Sequence, residues 1–208
     1  MNVKLISVLA AGLLSAAPAF SDTVTLDFEG ASSFQSIANF YNGGTDTGGA
    51  SGTNVGVLFG GDALALSNDE LGPYFSNAPT PGSIMAPVGA DAALNAAAGF
   101  SGTASFFYSS SADTSVSIFS GLNGSGTLLG TFNLLANAQT GCSDTLYCHW
   151  DLASLDFGGV AQSMLFGDAA NVAGFDNITI APVPLPAAVW LLGSALAGFG
   201  GIARRRKA

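Results

Sequence analysis

Along much of the chain, apolar and polar residues alternate one by one. From Thr23 to Phe28, Val24, Leu26 and Phe28 fall on one face and Thr23, Thr25 and Asp27 on the other. This is the pattern of a half-buried strand. The same period predicts strands over 55–59, 63–67, 103–108, 115–119, 127–134, 150–157, 163–166 and 175–180. Turn-forming clusters separate them, notably Asn42-Gly43-Gly44, Gly60-Gly61-Asp62, Gly121–Gly126 and Gly158-Gly159. The stretch 119–132 reads as a hairpin around a Gly- and Asn-rich loop, and one short helix is predicted over 91–98. Many short strands at this spacing argue for an all-β fold, an antiparallel β-sandwich spanning 22–181.

The two ends break the pattern. Lys4 precedes an apolar run from Leu5 to Leu14, and the small residues Ser15-Ala16-Ala17-Pro18-Ala19 follow. That order predicts a secretory signal peptide over 1–21, cleaved after Ala19 or after Ser21. At the other end, 185–203 carries no charge and is long enough to span a bilayer as one transmembrane helix. A buried soluble helix is the alternative, but Arg204, Arg205, Arg206 and Lys207 directly against its end fit it poorly. Such a basic cluster marks the membrane-stop side and stays cytoplasmic, which puts the body of the chain across the membrane.

Charge sharpens this division. All fourteen acidic residues, and none of the five basic ones, lie between Asp22 and Asp176, so the formal charge of −9 becomes −14 for that segment. A body without Lys or Arg cannot bind nucleic acid through phosphate contacts, and its carboxylates must be solvated, hydrogen-bonded or bound to cations. Cys142 and Cys148 are the only cysteines. In an exported domain they read as a disulfide. Ligation of a metal by the two thiolates and His149 is the alternative, with no fourth ligand in view.

The C-terminal end also resembles a known signal. Val183-Pro184-Leu185-Pro186-Ala187, the apolar span and the basic terminus, in that order, resemble the PEP-CTERM sorting domain in its VPLPA variant. The resemblance covers 182–208 and implies an exported surface or extracellular-matrix protein. It further implies an inner-membrane-anchored intermediate, processing by an exosortase-like membrane protease, and an exopolysaccharide or biofilm setting. Leu185 stands where the commoner form of the motif has Glu. Pro184 and Pro186 disfavour helix in the residues before them, leaving an extended stretch that a protease cleft can accept. Two further stretches, 26–30 with 40–59 and the closing 174–180, resemble jelly-roll domains of the carbohydrate-binding or lectin-like kind.

Catalytic chemistry finds little support. There is one His, no Lys between the ends, and no nucleophile motif around any Ser. A glycoside hydrolase needs only two carboxylates, but Glu29 and Glu70 are the only glutamates and neither sits in a recognisable motif. The expectation is a non-enzymatic protein, with a carbohydrate-binding module as the alternative role. Tyr41, Tyr74 and Trp150 are the aromatic candidates for sugar contact. The jelly-roll resemblance implies a structural calcium ion where the first and last strands meet, held by Asp27 or Glu29 and by Asp176 or Asn177. The loop containing Asp46 and Asn54 is a second candidate.

Overall fold

The structure is a computed structural model that describes residues 22–183. The expected signal peptide, Pro184–Ala187 of the sorting motif, the span 185–203 and the basic cluster 204–207 lie outside the described residues. Nine strands follow one another: β1 (Val24–Leu26), β2 (Val57–Phe59), β3 (Ala63–Ser67), β4 (Ser83–Pro87), β5 (Ala93–Ser110), β6 (Thr114–Phe119), β7 (Leu128–Leu134), β8 (Asp151–Leu165) and β9 (Ala173–Ile180). A single 3-10 turn, Gly167–Ala169, precedes β9. Among the described residues no helix is long and apolar enough to cross a membrane.

Every strand pairing is antiparallel, and the ladder runs β3-β4-β9-β5-β8-β6-β7, with β1 added to β9 and β2 to β5. The expected meeting of the first and last strands is present, with Val24 opposite Ile180 and Leu26 opposite Ile178. The ladder curls over on itself. β7 lies at one end of it, yet the Phe132 ring on β7 is 4.5 Å from that of Phe106 on β5. Phe106 in turn lies 5.2 Å from Phe175 on β9. Strands that are not neighbours in the ladder therefore face one another, which makes two layers around a phenylalanine-rich core.

β5 and β8, of 18 and 15 residues, are what allow the curl. Their register shifts between Asn95 and Phe100 and again between Ser101 and Gly102. Gly99, Gly102 and Gly159 have φ of 84°, 83° and 86°, a left-handed backbone that costs glycine least. Gly158-Gly159 is accordingly not the expected turn: it is a bulge inside β8, which joins the two strands predicted over 150–157 and 163–166.

The predicted helix over 91–98 is also absent. Its alanines are good helix formers, but so short a segment gains little from propensity alone. Pairing wins instead: Leu94 lies opposite both Phe59 and Met164, and Leu94 and Ala96 enter the core. β4 was not expected, because Pro81 and Pro87 frame it. It pairs residue for residue with β3, and Pro87 takes the end position opposite Ala63. The hairpin over 119–132 forms between β6 and β7, with Asn123 and Gly124 at φ 54° and 69° in its loop.

Candidate functional site

β3 and β4 are apolar on both faces, which a strand with one solvated face does not require. Ala63, Ala65 and Met85 point into the core at 0 % exposure. Leu64 lies opposite Ala86 and Leu66 opposite Ile84, and these four share the outer face. Together with Pro87 and Val88 they floor a groove of about 200 Å³. Asn171, beside it, donates its side-chain amide to the Val88 carbonyl at 3.3 Å.

Aromatic side chains wall this groove. Phe34 runs beside β3, its N–H donating to the Ala65 carbonyl at 2.8 Å. Its backbone is left-handed, with φ of 59°, and its ring is 51 % exposed. A left-handed bulky residue is strained by ~1–3 kcal/mol, and such strain concentrates at functional positions. The Tyr74 ring meets Phe34 edge-on at 5.4 Å. Tyr147 also lines the groove.

Tyr147 is held by the disulfide loop. Cys142 and Cys148 are bonded, as expected, with their Cα atoms 6.0 Å apart. Phe75 and Tyr147 form a parallel bridge, and the Ser76 N–H donates to the Tyr147 carbonyl at 3.0 Å. The Ser76 hydroxyl donates to Asp144 at 2.6 Å, which holds that exposed carboxyl below its usual range. Trp150 donates its indole N–H to the Ser76 carbonyl at 2.9 Å and lies edge-on to Phe75 at 6.3 Å. Gly174 packs beneath it: a Cβ there would come within 2.8 Å of the end of the Ile84 side chain, which would have to shift, and 3.4 Å of the Trp150 ring. The loop and the 74–77 segment thus form one wall.

The expected calcium residues gather elsewhere, where β1 and β9 meet. Asp176 on β9 is fully buried. It accepts the N–H and the hydroxyl of Thr80, each at 2.8 Å, and its own neighbour's N–H, from Asn177, at 2.7 Å. Burial pushes its carboxyl up to about 6 against these donors, and the Glu29 charge adds to the rise. Glu29 accepts the N–H groups of Gly82 and Ser83 at 2.9 and 3.1 Å. Asp27 accepts the Tyr41 hydroxyl at 3.3 Å.

An all-oxygen set with no cationic neighbour fits a hard divalent cation. The expected holders there are Asp27 or Glu29 from the first strand's end and Asp176 or Asn177 from the last strand. The oxygens of Asp176 and Glu29 already accept donors of the chain. The three carboxylates do not converge as a preformed site: the one trio of acidic, Cys or His side chains converging within 4.8 Å among the described residues is Cys142, Asp144 and Cys148. Two of those are spent in the disulfide, so the thiolate-and-His149 alternative falls. His149 instead pairs with Asp151 at 3.1 Å.

Asp46 shows the opposite behaviour. It is buried yet takes donors from Ser32, Gly48 and Ala50, and these hold its carboxyl below the usual range against the burial that would raise it. It is a loop anchor, and Asn54 turns to accept the Gly56 N–H instead of joining it. Of the aromatic candidates, Tyr41 is a core residue, 5 % exposed and 4.8 Å from Phe40, because its hydroxyl is satisfied by the Phe28 N–H and Asp27. Tyr74 and Trp150 stay half-buried beside the groove. Phe34 and Tyr147 were missed. The unbroken apolar run of β3 was the available signal that its outer face is covered or used.

No protein-family model matches the sequence, and no curated protein matches it. Several solved structures are similar at low identity. A family 6 carbohydrate-binding module, the subject of a binding sub-site dissection, is 19 % identical over 59 % of this chain and 83 % of its own, with a TM-score of 0.39. CsCBM6-3 from Clostridium stercorarium, in complex with cellobiose, is 19 % identical over 60 % of this chain and 86 % of its own, with a TM-score of 0.38. The C-terminal CBM6 of LamC, a marine laminarinase from Zobellia galactanivorans, is 14 % identical over 77 % of this chain and 99 % of its own, with a TM-score of 0.40. No residue of the groove is carried over from them.

Proposed function

We propose that the chain is an exported surface protein whose β domain binds carbohydrate without altering it chemically. The observation that carries this reading is the aromatic-walled groove on the outer face of β3 and β4. Small-ligand sites are concave and mostly apolar, with a few placed polar groups. Phe34 and Tyr147 offer ring surfaces to the C–H faces of a sugar, and the Tyr147 hydroxyl offers a polar contact. No carboxylate, imidazole or thiol lines the groove, which favours binding over hydrolysis. Cellobiose is the ligand named for the C. stercorarium module, a ligand class that agrees with this reading without bearing its weight.

The tail supplies delivery. Its motif, apolar span and basic end are those of an exosortase substrate, anchored in the inner membrane before processing and then placed at the cell surface or outside it. The folded domain runs up to the first residue of the motif, where the Val183 N–H donates to the Gly99 carbonyl at 2.9 Å. A glycan array probed with the oxidised protein tests the binding half: retention on neutral glycans supports it, and a blank array refutes it. Intact-mass analysis of the surface-extracted protein tests the sorting half. Loss of mass at both ends supports it, and a full-length C-terminus counts against it.

A further inference from the structure

The carbohydrate reading leaves one property of the groove unexplained: its floor is aliphatic. Leu64, Leu66, Ala86, Pro87 and Val88 offer no hydrogen bond from their side chains, and the Asn171 amide already donates to a backbone carbonyl. An unsubstituted sugar ring pressed onto this floor would bury hydroxyls without partners, at ~1–3 kcal/mol each. Methyl groups would gain there instead. Size restricts the ligand further. A groove of about 200 Å³ falls below the ~300–1,000 Å³ of drug-sized ligand pockets and suits one sugar ring. Charge restricts it again, because the segment 22–183 holds fourteen carboxylates and no Lys or Arg. No Lys or Arg of that segment can pair with a uronate or a sulfate, and the surrounding field repels both.

Resting on the carbohydrate reading above, we infer that the groove takes a single neutral sugar residue through methyl groups, as an O-acetylated hexose unit presents them. The acetyl methyl lies on the Leu64–Ala86 floor. The ring stacks against Tyr147 or Phe34, and the remaining hydroxyls stay at the open mouth in water.

Isothermal titration of the full-length, oxidised protein against three polysaccharides tests this: O-acetylated glucomannan, the same sample after alkaline de-O-acetylation, and polygalacturonate. The expected result is about tenfold tighter binding of the acetylated polymer, the usual discrimination for a small apolar group in a fitted pocket, and no displacement of that polymer by polygalacturonate, which the basic residues 204–207 can hold outside the groove. Val88→Asp, at a floor position that is 40 % exposed, should remove most of the acetyl preference while leaving the unfolding temperature unchanged. Equal affinity for the two glucomannans overturns the inference and leaves the carbohydrate reading standing, as does competition by polygalacturonate. Failure of both glucomannans to bind counts against the carbohydrate reading itself.

Discussion

Asp176 allows the electrostatics of the fold to be worked through to a number. It is buried on β9 with Glu29 beside it, and the domain holds no Lys or Arg to compensate either charge. Burial raises its carboxyl from 3.8 to about 6, with the Thr80 and Asn177 donors opposing. A carboxyl raised in the native state binds its proton more tightly when folded than when unfolded. Its stabilising contribution is therefore complete below a pH of about 4 and is lost as the pH rises through about 6. That interval corresponds to at most about 3 kcal/mol, or ~6–12 °C in Tm for a domain of this size.

Asp176→Asn cannot ionise. It also sets an amide N–H against the donors of Thr80 and Asn177, so at acid pH the variant is less stable by ~1–3 kcal/mol. The assay is thermal unfolding of both proteins in EDTA, from pH 4.5 to 7.5. The difference between them removes the contribution of the other carboxylates. The wild-type advantage should shrink steadily across that range. An advantage that is constant, or that grows with pH, would refute the reasoning.

Calcium should act on the same cluster from the other side. At a hundredfold excess over Kd it should stabilise the wild type by about 2.7 kcal/mol, through Asp27, Glu29 and Asp176, and this gain should vanish in Glu29→Gln. Equal Tm in EDTA and in 10 mM calcium would dismiss the site. Breaking the disulfide with Cys142→Ser plus Cys148→Ser should cost about 2 kcal/mol in urea unfolding, as expected for so short a loop. Amide exchange should rise in residues 74–77, which the loop holds through Ser76. Protection there identical to wild type would show that the wall stands without its cross-link.

How far the amino-acid pattern reaches depends on the range of the interactions that decide each element. The strand over 115–119 and the hairpin over 119–132 were legible because alternation and loop chemistry act locally. The helix expected over 91–98 failed because local alanine propensity is weak against pairing with β2 and β8 on both sides. Gly158-Gly159 was read as a chain reversal because a bulge and a turn call for the same backbone freedom. The disulfide was legible from two closely spaced cysteines in a segment expected to be exported. The groove was not, since Phe34, Leu64, Val88 and Tyr147 are remote in sequence and meet only through the β3–β4 register and the loop that carries Tyr147. Tyr41 was misassigned because a buried tyrosine and a sugar-binding one look alike until the partner of the hydroxyl is known.

The most direct test of the central claim is the affinity of the purified, oxidised protein for neutral polysaccharide, compared with that of Tyr147→Ala and Phe34→Ala by affinity electrophoresis. Both substitutions lie on the groove wall, and the backbone hydrogen bonds of both positions remain available. Removing a stacking ring should weaken retention by about tenfold, ~1.4 kcal/mol, with Tm unchanged. Retention that is absent in the wild type, or identical in all three proteins, would contradict the account.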